Sequence, residues 1–461
     1  MKFFKTKYEK LTKKYRKDLL SSLKDFVAIK SVYDDSTVNK ANPFGEGVSN
    51  ALNYFTNLAT NYGFKTTNYN NKVVEAIVGD GDKNITIMAH ADVVPEGTGW
   101  EKDPFTVFEK GDTLIGRGVS DDKGPCLAAF YAIVALRNAG LLGNYQVRLL
   151  VGGNEERGSA CMDHYFNVLK KPQPTLGFSP DADFPLIYAE KGIFNFTVKK
   201  SVKLPKVISI KGGEASNAVI EKCTIQFELD DKIIPFLLEN AKGAEIVTKE
   251  DIVNVTFTGV GAHGSTPQLG KNAGMMALEC LSKFTSNSVI TDLIEKYSDV
   301  YGKGINAFNS SKELGKTSCN VGLLDYDGEE ISLTVNFRHG EGATGEALIE
   351  NIKEANKGYR LEFTSPVPVL YIPKTSPLIK TLMKAYVDET GDRKSKPLAI
   401  GGGTYAKEAS NVVAFGMEFK GHDSHMHTCG ECVEKEHLFK AMAIYARAIV
   451  ELGKLIDEDK I

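Results

Sequence analysis

The stretch Ile85-Thr86-Ile87-Met88 reads as a buried strand, and a strand of this kind belongs inside a largely parallel sheet covered by helices on both faces. It runs directly into Ala89-His90-Ala91-Asp92-Val93-Val94-Pro95. At strand spacing His90 and Asp92 fall on one side of the carboxyl end, where open α/β sheets bind their ligands. His90 is therefore a candidate metal ligand, with Asp92 placed to accept the second ring N–H and fix tautomer and orientation. A structural histidine satisfied at a strand end carries the same local pattern, so the choice rests on the remainder of the chain.

At 461 residues and 42% hydrophobic content, the chain exceeds the size at which single cores divide, so two or more domains are expected. A net charge of −3 supplies no field for nucleic acid or an anionic membrane, which leaves a small molecule or another protein as partner. The sequence holds no run of 18 apolar residues, and its start, MKFFKTKYEKLTKKYRK, continues into charged helix-like sequence, so a cytoplasmic protein is expected. The seven cysteines are odd in number and mostly isolated, in keeping with a reducing compartment. Cys429-Gly-Glu-Cys432 matches C-x-x-C, without a second pair or a thioredoxin-like context.

The first part of the chain alternates helical and strand patterns. Residues 8–30 and 47–62 read as amphipathic helices, Val73–Val78, Ile85–Ala89 and Gln146–Val151 as strands, and Leu127–Asn138 as a strong helix ended by Ala139-Gly140. From about residue 188 shorter β-rich segments take over, at Phe194–Val202, Thr224–Glu228, Val253–Thr258 and Ile331–Phe337, with helix-like stretches at 272–287 and 345–356. Helix signals resume at Leu378–Glu389 and again from His437 to Leu455. The pattern predicts an α/β catalytic domain, a mixed and largely parallel sheet flanked by helices, in two pieces (1–189 and 371–461). An inserted α+β lid domain occupies 190–370.

Four further segments carry candidate chemistry. Gly116-Arg117-Gly118-Val119-Ser120-Asp121-Asp122 is a glycine-punctuated loop leading into a helix. Its acidic pair could cap that helix, or Asp121 could offer two oxygens to two cations. Asn154-Glu155-Glu156 sets adjacent glutamates just after a strand, where like charges cost energy unless a cation or shared proton offsets them. One can bind metal while the other acts as general base. Pro180-Asp181-Ala182-Asp183 adds carboxylates after an apolar segment, and His422, His425 and His427 gather three of the eight histidines within six residues. A mixed His and carboxylate set suits Zn²⁺ or Mn²⁺.

The succession His90-x-Asp92, Gly118-x-x-Asp121, Glu155-Glu156, Asp183 and His427 resembles the dinuclear metallopeptidases that include aminoacylases, carboxypeptidase G-type enzymes, succinyl-diaminopimelate desuccinylase and PepV-type dipeptidases. The PepV type is the nearest of these, through Gly99-Trp100-x-x-Asp103-Pro104-Phe105, Gly401-Gly402-Gly403-Thr404-Tyr405-Ala406 and Met426-His427. The resemblance implies two divalent ions per chain, Zn²⁺ first, with Mn²⁺ or Co²⁺ compatible. His90, Asp121 and Asp183 would bind one, and Asp121, Glu156 and His427 the other. Glu155 would be the general base, and Asp92 would clamp His90. In the insert, His263 of Gly261-Ala262-His263-Gly264 would meet the developing oxyanion. Asn217 and Arg338 would contact the transition state or the substrate carboxylate. Separately, the run Gly401-Gly402-Gly403-Thr404 either forms a structural turn or brings backbone N–H groups, at Gly402 and Thr404, up to a terminal carboxylate. The implied activity is hydrolysis of small unblocked dipeptides by a monomer. N-acyl amino acid deacylation or desuccinylation at the same centre is the alternative within the enzyme class. A metal-binding or redox protein built around His422 to Cys432 is the alternative outside it.

Overall fold

A computed structural model describes residues 6–461, which divide into two compact units. One comprises the chain up to Tyr188 together with Ile372–Leu398 and Thr404–Ile461, and the other Ala189–Tyr371 with Ala399–Gly403.

The first unit is built on β1 (Lys65–Tyr69), β2 (Val73–Val78), β3 (Asn84–His90), β4 (Gln146–Gly152), β5 (Leu176–Ser179) and β6 (Val412–Ala414). Their order in the sheet is β1-β2-β4-β3-β5-β6. The β4, β3, β5 and β6 strands run parallel, and β1 and β2 join as antiparallel edge strands. Every residue of β3 is buried, which is what its unalternating composition requires. The fold is thus the mixed α/β arrangement expected from the sequence.

Helix α1 (Lys123–Asn138) follows the glycine-rich loop and is buried from Lys123 to Leu136, as suits a helix apolar on every side. It starts four residues before the apolar signal because Lys123-Gly124-Pro125 forms its first turn, where proline is tolerated. The buried Lys123 ammonium donates to the Phe26 and Ile29 carbonyls at 3.0 and 2.8 Å, at the end of the helix Arg16–Val27. The expected helix over 8–30 is interrupted: Lys7–Thr12 and Arg16–Val27 are joined by a 3₁₀ turn. The C-terminal helix α2 (Lys435–Asp457) packs on α1.

The second unit is an antiparallel eight-stranded sheet. Gly192–Ser201 alternates buried and half-buried positions, so Phe194, Phe196 and Val198 enter one core with residues of the helices Ala273–Phe284 and Gly345–Ala355. The helical signal over 272–287 ends earlier than expected, at Phe284, and a separate helix Ser288–Tyr297 begins where the Asn287 side chain accepts the Val289 amide at 2.9 Å. Among the described residues, no helix is long and apolar enough to cross a membrane.

Candidate metal centre

His90 is the last residue of β3 and lies in register with Gly152, the last residue of β4. A Cβ on Gly152 would meet the Tyr405 hydroxyl at 2.1 Å, so this position admits only glycine while Tyr405 stands edge-on to the His90 ring, 5.8 Å between centroids. Just beyond Gly152 the chain turns through Asn154, Glu155 and Glu156, and beyond β5 it bends at Asp181. Three parallel strand ends therefore deliver imidazole and carboxylates to one place, as the geometry of open α/β sheets dictates.

Asp121 lies at the centre. One of its oxygens is 3.0 Å from His90 Nε2 and the other 2.8 Å from His427 Nε2. Asp181 Oδ2 is 3.7 Å from His90 Nε2, and Glu156 Oε2 is 3.4 Å from His427 Nε2. Donor atoms of His90, Glu155 and Asp181 converge as one group, and those of His90, Asp121 and Glu156 as another. The donors fit divalent cations: His90 Nε2 and Asp121 Oδ1 are buried, face each other, and make no hydrogen bond.

Asp183 does not join this cluster. The chain bends at Asp181, directly after β5. By Asp183 it has entered the short strand Ala182–Asp183, which pairs with Met417–Glu418, and Asp183 is exposed. The acid of this segment that lies with His90 is Asp181, next to the end of β5.

The clamp on His90 also differs from expectation. Its Nδ1 is 2.9 Å from the main-chain oxygen of Asp92, whereas the Asp92 carboxylate lies at 3.5 Å. That carboxylate accepts the backbone amides of Glu155 and Glu156, each at 3.1 Å. Asp92 therefore orients both halves of the site, the imidazole through its carbonyl and the glutamate pair through its side chain. Asp122 holds the N-cap position of α1 but makes no side-chain cap; its Oδ2 accepts the His90 amide at 2.9 Å instead.

Glu431 is a positioning residue beneath Asp121. Fully buried, it accepts the amides of Gly118, Ser120 and Asp121 and is paired with Arg117 Nη1 at 2.6 Å. Arg117 Nη2 also donates to the Thr428 carbonyl, so the loop carrying Asp121 and the loop carrying His427 are tied to each other. His427 has a left-handed backbone, φ +61°, a conformation uncommon outside glycine.

The charges interact strongly. Burial opposes a charge on His90, yet Asp121, Asp181 and Asp92 raise its pKa well above the usual imidazole value. Asp121 and Glu156 push His427 up to about 11. Burial raises Asp121, but His427 and His90 overcome it and hold the carboxyl well below the ordinary range. Burial and the Asp121 charge lift Glu156 to about 7, and burial, with the charges of Asp181, Glu156 and Asp121 adding, lifts Glu155 well above the carboxylate range.

The family model for peptidase family M20/M25/M40 matches residues 86–451. The chain belongs to this family. A relative named "Putative dipeptidase" in Staphylococcus epidermidis is 32% identical over 460 residues, covering 95% of this chain and 97% of the relative. Another of that designation, in Staphylococcus haemolyticus, is 31% identical over 468 residues, covering 96% and 99%. Among solved structures of the fold, the di-peptidase Dug1p of Saccharomyces cerevisiae has a TM-score of 0.60 at 14% identity, covering 97% of this chain and 98% of that one. The M20 family metallo-carboxypeptidase Sso-CP2 of Sulfolobus solfataricus has 0.59 at 17%, covering 95% and 99%. As a family peptidase the chain is a hydrolase, and the cluster above is its candidate metal centre.

The remaining sequence-derived positions lie elsewhere in the family fold. Thr404 opens a 3₁₀ turn in the first unit and its hydroxyl accepts the Ala406 amide at 3.2 Å. His263, Asn217, Arg338 and Gly402 belong to the second unit. His263 and Asn217 line one cavity there, and the His263 pKa is lowered by burial and by Arg338. Arg338 is buried and donates from Nη1 to the Gly401 carbonyl at 2.6 Å and from Nε to Asn336 at 2.8 Å. All seven cysteines are free thiols, Cys429 exposed and Cys432 half-buried, so the C-x-x-C pair is not bridged.

Proposed function

We propose that the chain is a two-cation dipeptidase acting on small unblocked dipeptides. The observation that carries this reading is the division of the Asp121 carboxylate, one oxygen toward His90 and the other toward His427. His90, Asp121 and Asp181 would hold one divalent ion, and Asp121, Glu156 and His427 the other. Zn²⁺ is the first choice for this nitrogen and oxygen donor set, and Mn²⁺ and Co²⁺ are compatible with it. Ions held there supply the positive charge that polarises a scissile carbonyl and acidifies water.

Glu155 is the general base: its carboxylate takes the proton of the attacking water and returns it to the leaving amine nitrogen. Its hold on the Asp92 side chain through the backbone amide fixes where that carboxylate stands. We assign His263 to the developing oxyanion and Asn217 and Arg338 to the substrate on the strength of the motif resemblance, and Gly402 and Thr404 to the terminal carboxylate because a glycine run can bring backbone N–H groups up to an anion. A monomer acting in the cytoplasm completes the reading; the isolated free thiols support a reducing compartment.

Elemental analysis combined with hydrolysis of a dipeptide panel, with and without chelator, tests the proposal. Two ions per chain and chelator-sensitive dipeptide turnover are expected. Fewer than one ion after reconstitution, with no turnover, overturns it. Faster cleavage of N-acetyl or N-succinyl amino acids than of free dipeptides would transfer the assignment to a deacylase. Mixing inactive Glu155→Ala with inactive His263→Ala tests the monomer, because recovered activity would mean that the two residues act across subunits.

A further inference from the structure

Asn320 lies on the strand Ser318–Tyr326 of the second unit and is 1% exposed. Its side-chain NH₂ donates to the Ser216 carbonyl at 2.9 Å and to the Ala218 carbonyl at 2.8 Å, gripping the chain on either side of Asn217. The grip extends to His263. Ala218 and His263 are paired by an antiparallel β-bridge, the Gly264 amide donates to the Asn217 carbonyl at 2.7 Å, and the Val219 amide donates to the Ala262 carbonyl at 2.9 Å. A Cβ on Gly322, two residues along the strand, would meet the Ser216 carbonyl at 2.2 Å, so the Asn217 segment is seated directly against the strand. Across the ladder Asn320 faces Asn336, whose Oδ1 accepts Arg338 Nε at 2.8 Å.

The other half of the Asn320 amide has no such partner. Its Oδ1 is buried and makes no hydrogen bond among the described residues. Turning the amide over would set that oxygen against two carbonyl oxygens, so the orientation is fixed. What asparagine brings to this position is its NH₂ group, which serves two carbonyls at once while stranding an oxygen, a cost in free energy.

We propose that Asn320 is a positioning residue, which sets where Asn217 and His263 stand relative to each other by holding the backbone on both sides of Asn217. The inference rests on the dipeptidase reading, in which both of those side chains meet the reacting amide. A donor aimed at an oxyanion is effective only if it is fixed before the charge develops. Displacing it by about 1 Å is enough to slow a reaction on the order of 100-fold. Loss of the clamp should therefore weaken binding of the transition state more than binding of the substrate.

The test uses the metal-loaded full chain. Asn320→Asp keeps the shape of the side chain and removes both donated hydrogens at neutral pH, and Asn320→Ala serves where the aspartate fails to fold. Hydrogen exchange read by mass spectrometry should accelerate by about tenfold or more in peptides covering 213–219 and 260–266, and not elsewhere. With Leu-Gly, kcat should fall about 10- to 100-fold while KM stays within about threefold. Affinity for a phosphinate analogue of Leu-Gly, whose tetrahedral phosphorus carries the oxyanion, should fall in parallel with kcat. Metal content should equal that of the parent chain, since the donor cluster lies in the first unit. An asparagine that serves stability alone would lower the unfolding midpoint and leave the phosphinate Kd of the folded fraction unchanged. Unchanged kcat and phosphinate affinity, whether or not exchange accelerates, overturns the positioning role and leaves the dipeptidase reading intact. Failure of the parent chain to cleave any of a dipeptide panel overturns that reading, and the positioning role with it.

Discussion

Arg117 and Glu431 form an ion pair of 2.6 Å in which neither side chain is more than 1% exposed. The pair lies directly under Asp121, whose amide the same Glu431 carboxylate accepts at 3.1 Å. Its value is positional: a buried pair contributes little net stability, but removing one partner strands the other charge. Glu431→Ala should therefore cost about 3–5 kcal/mol in urea unfolding, with loss of metal from whatever fraction still folds. A loss under about 1 kcal/mol would show that the loop holds its shape without the carboxylate.

Asp92 holds the Glu155 and Glu156 amides through its carboxylate and the His90 ring through its carbonyl. Asp92→Ala removes both amide acceptors but keeps the carbonyl that orients His90. Metal affinity should drop about 10- to 100-fold, the usual cost of losing an outer partner. The readout that separates this from mere destabilisation is metal Kd measured at a temperature where circular dichroism shows the variant folded.

Asp181 and Asp183 give opposite expectations. Asp181→Asn should lower the metal content of the purified protein by about one ion per chain and weaken affinity by more than about 100-fold, beyond the effect of an outer partner. Asp183→Asn should leave both unchanged, because its carboxylate lies in a separate two-stranded pairing. The reverse result would return the ligand role to Asp183.

Metal binding should be strongly pH-dependent. In the cation-free protein Asp121 and Glu156 push His427 up to about 11, so at pH 7 it carries a proton that a cation must displace. Apparent affinity should rise with pH by about tenfold per unit for each proton released, and calorimetry in buffers of different ionisation enthalpy should detect that release near pH 7. Stability of the cation-free protein responds in the opposite direction. A raised imidazole pKa stabilises the cation-free fold fully below the unfolded value near 6.5, and this contribution is lost as pH rises through about 11. Cation-free protein should thus unfold more easily at pH 10 than at pH 7, a difference that saturating metal should abolish.

Glu155→Gln should lose about 10²- to 10⁴-fold in kcat at saturating metal, the contribution expected of a positioned general base, with metal content measured on the same sample because Glu155 stands among the converging donors. Unchanged kcat would remove Glu155 from the reaction.

The local signals in the chain were enough to specify most secondary elements and most of the donor set. β3 was legible because a strand buried on both faces has no polar alternation to confuse it, and His90 because it terminates that strand. Glu156 and Asp121 were legible because acidic residues after strands and glycine turns are costly without a partner. Three features were not legible. Asp181 and Asp183 differ by two positions in an otherwise equivalent acidic segment, and only the bend after β5 separates them. Asp122 looks like a helix cap in sequence, but its acceptor is spent on the His90 amide, 32 positions away. Glu431 stands four positions after His427 in sequence, but its support of the Asp121 loop is visible only where Gly118, Ser120 and Asp121, more than 300 positions earlier, bring their amides to it.

By itself, then, the sequence determined the α/β class, the strand ends at which ligands collect, and the chemical type of the donors, because those depend on periodicity and on residue identity over short spans. The tertiary structure decided which of two neighbouring aspartates faces the centre, which atom of Asp92 orients His90, and which buried acid supports the Asp121 loop. Those choices depend on where hydrogen-bond donors from distant segments arrive. Burial makes each of them obligatory, since an unpaired amide or charge in the interior costs more than the fold can spare.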